Sequence, residues 1–124
     1  MVLGLLSLSL KVSDIEVSKV FYEKLGFSQM AGHLDQKWLI MKDKNNQVIG
    51  LFEGMLEKNT ITFNPGWDHN AQNIDDYIDV RYLQKMLSNE GIDCGKPIGE
   101  NNKGPANFIM TDPDGNPILV DQHR

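Results

Sequence analysis

The strongest constraint on this chain is a pattern that occurs twice. Asp14 to Gly26 and Asp79 to Gly91 have the same spacing, and each reads as a helix that opens near an acidic residue and stops at glycine. Each is followed by a polar turn, Asp43-Lys44-Asn45-Asn46 in the first half and Asp112-Pro113-Asp114-Gly115-Asn116 in the second. The helices register at an offset of 65 residues and the turns at 69. Repetition on this scale indicates one structural unit used twice.

The elements of that unit follow from periodicity. Leu6, Leu8, Leu10 and Val12 alternate with Ser7, Ser9 and Lys11, the pattern of a strand with one buried face. Ser13-Asp14-Ile15-Glu16 reads as a capping box, after which Ile15, Ser18, Phe21, Tyr22 and Leu25 recur at helical spacing. Residues 27–32, 37–42 and 47–52 read as strands, with Asn45-Asn46 as the hairpin turn between the last two. In the second half, 60–63 reads as a strand and 79–90 as a helix carrying Val80, Leu83 and Leu87 on its apolar stripe; 106–110 and 117–121 flank the second turn. The expected class is α+β, with tandem βαβββ modules at about 5–54 and 60–122 inside one domain spanning 1–124.

The halves differ at one junction. Residues 64–78 separate strand from helix in the second half and carry Pro65-Gly66-Trp67-Asp68-His69. A connection this long belongs to a working loop or to an irregular link in which Trp67 plugs the core edge; both readings stay open. Trp67 and Trp38 are the candidates for stacking a planar or cationic ligand; Trp38, within a strand, has core as its alternative, which makes Trp67 the better of the two.

Composition removes several classes. A chain of 124 residues fits one domain, and 12 Lys plus Arg against 17 Asp plus Glu gives a net charge of −5, unsuited to a nucleic-acid partner. Cys94 is the only cysteine, which excludes an intramolecular disulfide and a Cys-rich zinc site and suggests a reducing, cytoplasmic setting. The apolar stretch 1–10 is too short to span a bilayer, so no membrane partner is expected. Neither a phosphate-cradling glycine loop nor a nucleophile constellation is present, and Cys94 reads as a buried structural thiol.

At Val12-Ser13-Asp14-Ile15-Glu16-Val17-Ser18-Lys19-Val20-Phe21-Tyr22-Glu23-Lys24-Leu25-Gly26-Phe27 the chain resembles the vicinal-oxygen-chelate superfamily, which includes glyoxalase I, bleomycin-resistance proteins, fosfomycin-resistance enzymes and extradiol dioxygenases. Asp112-Pro113-Asp114-Gly115-Asn116-Pro117-Ile118 is similar to that superfamily's C-terminal signature. The resemblance implies that the paired modules form a curled mixed sheet around a cavity, and that homodimers are common. It also implies a divalent metal held by His and Glu. The corresponding positions here are Ser7, Gly50, Leu119 and either Thr60 or Thr62. None supplies the imidazole, carboxylate or thiolate that a first-row metal wants, so no metal or other cofactor is expected at them. The one alternative is a rebuilt site joining His69 to Asp68, Asp121 or Glu53; His33, in an expected turn, and His123, beyond the last strand, read as surface histidines.

Strand alternation then supplies the cavity's lining. Ser7, Ser9 and Lys11 face inward if Leu6, Leu8 and Leu10 pack under helices, together with Thr60, Thr62, Asn64, Val48, Gly50, Phe52, Leu119 and Asp121. From these and the loop, the expected ligand contacts are Ser7, Ser9, Lys11, Phe52, Thr62, Asn64, Trp67, Asp68, Leu119 and Asp121. An equal alternative has Lys11 and Asp121 merely pairing at the sheet rim. Two functional readings follow: a glyoxalase/bleomycin-resistance-like protein that binds a small organic ligand without the usual metal, or a glyoxalase-type lyase or isomerase using a non-standard metal site or metal-free acid–base chemistry. The second would rest on Lys11, Asp68, His69 and Asp121.

Overall fold

The computed structural model describes residues 1–99 and 103–124. The chain divides into two compact units, Ser7–Thr60 and Ile61–Arg124, with Met1–Leu6 belonging to the latter. The first contains β1 (Leu5–Val12, entering at Ser7), α1 (Ile15–Lys24), β2 (Ser28–His33), a 3-10 turn at Leu34–Gln36, β3 (Trp38–Lys42) and β4 (Val48–Glu53). Its strands lie in the order β2-β3-β4-β1, with β1 parallel to β4 and the other neighbours antiparallel. The second contains β5 (Thr60–Asn64), α2 (Val80–Asn89), β6 (Ala106–Thr111) and β7 (Pro117–Gln122), in the order β5-β7-β6. Again the opening strand runs parallel to the last one, and the last hairpin is antiparallel. The α+β class and the expected elements are present, most within one or two residues of the positions read from periodicity. Among the described residues no strand lies between α2 and β6, where the first unit has β2.

The repeat is visible at atomic detail. Asp14 caps α1 by accepting from the N–H groups of Glu16 and Val17, and Asp79 caps α2 by accepting from Arg81 N–H. The cap of α1 is therefore Asp14 alone; Ser13 stands one residue too early for the expected box. The first helical N–H is taken from the sheet in both units: Ile15 N donates to Glu53 Oε1 at 3.0 Å and Val80 N to Gln122 Oε1 at 2.9 Å. The turns match as closely. Asp43 Oδ1 accepts from the N–H groups of Asn45 and Gln47 at 2.9 Å each, and its Oδ2 accepts from Gln47 Nε2 at 2.7 Å. Asp112 does the same with Asp114, Asn116 and Asn116 Nδ2, at 2.9, 2.9 and 2.7 Å. Asn46 at φ 62° and Gly115 at φ 85° occupy the same left-handed position.

Each unit has its own core. Ile15, Leu39, Met41 and Leu51 form one, with Leu10, Val12, Tyr22 and Phe27 against it. Val80, Leu83, Leu87, Cys94, Phe108, Met110 and Val120 form the other, which places Cys94 as a buried thiol whose pKa burial pushes up. Two expectations change. Leu10 and Val12 pack as read, but Leu6 and Leu8, on the same face of β1, are exposed, while Ser7 and Ser9 are buried. Alternation fixes which residues share a face, not how far along the strand a ten-residue helix can cover it. His33 closes β2 opposite Trp38 instead of lying in a turn, because the chain reverses only after it, through the 3-10 turn and the left-handed Lys37.

Candidate functional site

Within the unit Ile61–Arg124, β7 points Val120 and Gln122 toward α2, so Leu119 and Asp121 face the other way. Register places Leu119 beside Thr62 on β5 and Ile109 on β6, and Asp121 beside Asn107. Beyond the strand's end, His123 falls two residues after Asp121 and shares its side. Its Nε2 lies 3.1 Å from Asp121 Oδ2, and its ring stacks on the Trp67 indole with centroids 4.6 Å apart and planes within 10°. Asp121 and His123 are both partly exposed, so the cluster is open to a ligand.

The loop that delivers Trp67 is held at several points. Trp67 Nε1 donates to Asn73 Oδ1 at 3.1 Å, and the two residues form an isolated bridge. Asn64 Nδ2 donates to the Asp121 carbonyl at 2.8 Å, tying the loop's start to β7. Arg124 donates through Nη1 to the carbonyls of Gly66 (3.0 Å) and Ile74, with its guanidinium 4.2 Å from the Tyr77 ring centre. Gly66 is required here: its φ is +85°, and a Cβ would come within 2.6 Å of Arg124 Cδ.

The expected site residues divide between the two units. Leu119 lies beside Thr62, which is buried, and Asp121 is joined to Trp67 through His123. Asn64 is buried, with its amide on the β7 backbone. Asp68 accepts from the N–H groups of Asn70 and Gln72 at 2.8 and 3.1 Å, the geometry of a capped turn, and His69 beside it is exposed. In the unit Ser7–Thr60, Lys11, Phe52, Trp38 and His33 make one cross-strand row on the face away from α1, with Ser9, Gly50 and Ile40 in the next. Ser7 lies two residues before Ser9 on the same face. Lys11 Nζ approaches the Glu57 carbonyl at 3.5 Å, so each of the two charges read as a possible rim pair has a partner in its own unit.

Two residues join this cluster that were not among the expected ligand contacts, His123 and Arg124. His123 is at the surface as expected, and the structure adds its contacts with Asp121 and Trp67 and those of Arg124 with the loop. The available signal was the two-residue step from Asp121 to His123, which at strand period sets both on one side.

The metal implied by the resemblance does not fit these residues. Ser7 and Thr62 offer neutral hydroxyls, and Leu119 offers no donor at all. At Gly50 the space a side chain would need is occupied: a Cβ there would stand 2.6 Å from the Phe52 ring. Among the described residues no three His, Cys, Asp or Glu side chains gather as a metal-holding group. Asp68 is engaged in its turn, and Glu53 is engaged by Ile15 N and, at 3.6 Å, by Lys37.

Duplicated modules, each closing a parallel strand pair over a helix, with an aromatic–acidic cluster at the end of the last strand, define an α+β protein built by tandem repetition. Residues 4–120 match the family model of the Glyoxalase/Bleomycin resistance protein/Dioxygenase superfamily, and the chain belongs to that superfamily. Among solved structures, a glyoxalase/bleomycin resistance protein/dioxygenase superfamily member from Vibrio splendidus 12B01 aligns with TM-score 0.63 at 16% identity, over 95% of this chain and 97% of that one. A protein described as NAD-dependent benzaldehyde dehydrogenase from Legionella pneumophila aligns with TM-score 0.71 at 15% identity, over 97% and 100%. At such identities the likeness is one of fold. No curated protein matches the chain. Among the described residues no helix is long and apolar enough to cross a membrane.

Proposed function

We propose that this protein binds a small organic ligand at the end of β7, against Trp67, Asp121 and His123, without a metal at the positions the superfamily uses. The observation that carries this is the stacked Trp67–His123 pair with a carboxylate at its edge. Two parallel rings form a shelf for a planar group, Asp121 supplies a negative charge for a donor or cationic centre, and the half-buried Leu119 adds an apolar patch. The working unit in this reading is a homodimer in a reducing, cytoplasmic setting. A thermal-shift screen against aromatic cations, glutathione adducts and planar metabolites tests the ligand reading. Hits are expected to lose their shift in both Trp67→Ala and His123→Ala; hits that survive both variants defeat it.

The Asp121–His123 contact favours a second reading, metal-free acid–base catalysis of the lyase or isomerase kind. Asp121 accepts the Nε2 proton, which leaves the Nδ1 lone pair as the basic position. For an α-hydroxy carbonyl substrate, Nδ1 would take the proton from the hydroxyl-bearing carbon. The C–H pair forms the C=C bond as the carbonyl π pair moves to oxygen. The hydroxyl proton passes to that oxygen, and Nδ1 returns its proton at the former carbonyl carbon. Turnover of a carbonyl substrate that resists chelators and disappears in His123→Gln supports this reading; turnover that chelators abolish removes it.

A further inference from the structure

We propose that the outward face of α1 is a two-fold interface between two copies of this chain. The inference rests on the homodimer reading and supplies the surface, which is separate from the ligand cluster. Val17, Val20, Phe21 and Leu25 are 65%, 51%, 55% and 60% exposed, although α1 is only ten residues long. They are not scattered. Val17, Phe21 and Leu25 form one ridge at i, i+4 spacing, and Glu16, Val20 and Lys24 form the ridge beside it. A groove of about 450 Å³ runs between Glu16, Val17, Val20, Phe21 and Lys24. A second, of about 320 Å³, borders the far side of Val17 and Phe21. A ridge flanked by grooves is the shape that another copy of the same ridge fits, and Phe21 is steadied by its edge-on contact with Tyr22 at 5.2 Å.

Charge selects the occupant and its direction. The row Glu16–Val20–Lys24 reads negative, apolar, positive, so a second copy laid antiparallel through Val20 sets each Glu16 against the other chain's Lys24. A parallel copy would oppose like charges at both ends. Lys19 and Glu23, nearby, already pair with each other at 2.9 Å, whereas the side chains of Glu16 and Lys24 have no ion-pair partner among the described residues. The contact is small, because ten helical residues span about 15 Å and a stable interface buries about 800 Å² per partner. The dimer is therefore weak and salt-sensitive.

Sedimentation velocity of the full chain from about 5 µM to 1 mM tests this, with circular dichroism as the control for folding. The wild type is expected to move from the 14.0 kDa species toward twice that mass as concentration rises. Val20→Glu is expected to weaken association by at least ~10-fold and Lys24→Glu by ~3-fold. The exchange Glu16→Lys with Lys24→Glu restores the antisymmetric row in reverse and is expected to return to within ~2-fold of the wild type. A wild type that stays at 14.0 kDa throughout overturns both the interface and the homodimer reading. A dimer indifferent to Val20→Glu and Lys24→Glu overturns the interface alone, and an exchange variant that fails to recover overturns the two-fold register.

Discussion

In the unit Ser7–Thr60, α1 buries Ile15 alone and turns Val17, Val20 and Phe21 outward; in the other unit, α2 buries Val80, Leu83 and Leu87. Yet both helices begin on an aspartate cap, take a sheet side chain on their first N–H, and end beside a glycine at φ 101° or 90°. The duplicated parts are those that start and stop elements. The divergent parts include one helix face and one strand-to-helix junction, beside the segment that follows the helix, and the proposed interface and ligand cluster fall on the first two. A copied scaffold keeps its terminators because both halves need the same backbone geometry, and is free to vary where a surface serves only one half.

Substitutions in each unit put this contrast to the test. The largest effect is expected in the α2 core: Leu83→Ala should lower unfolding stability in urea by about 2–5 kcal/mol, the usual cost of a cavity at a fully buried leucine. The caps come next. Asp14→Ala should cost about 1 kcal/mol, and Asp79→Ala more, because Asp79 also accepts from Gln122 Nε2 at 2.9 Å and pairs with Arg81 at 3.1 Å. Equal costs would mean that the two caps are closer copies than the side-chain network suggests.

The turns should respond alike to acid. The backbone N–H of Gln47, with its side chain and Asn45, holds the Asp43 carboxyl below its ordinary value near 3.8; the Asn116 side chain and backbone do the same for Asp112. A carboxyl held low in the folded chain contributes stability that is fully present above its ordinary value and is lost as pH falls through the folded one. Asp43→Asn and Asp112→Asn should therefore each flatten the stability profile below about pH 3.8, by similar amounts. A marked difference would deny that the turns are equivalent. The smallest change belongs to the exposed helix: in dilute solution Val20→Ser should stay within about 0.5 kcal/mol of the wild type.

The repeat, the strand faces and the turn aspartates were legible because each is a local rule. Asp43 and Asp112 bond their own turns, and alternation along β7 sets Leu119 with Asp121 wherever that strand sits. Burial was less legible. Leu6 and Leu8 have the right parity for a core, but a short helix covers only Leu10 and Val12. Helical spacing puts Phe21 in line with Leu25, but periodicity cannot say what stands opposite, and Phe21 is exposed. The contacts of His123 were not legible because they depend on Trp67, 56 residues earlier, and on a loop that Arg124 holds through the Gly66 carbonyl.

The chain has two tryptophans, one in each unit, and so offers two indole N–H signals. Titration of a thermal-shift hit into ¹⁵N-labelled protein, with the signals assigned through Trp38→Phe, tests the ligand cluster most directly. The Trp67 indole signal is expected to move in a saturable manner while that of Trp38 stays in place. Saturable movement of Trp38 with Trp67 unmoved would contradict it.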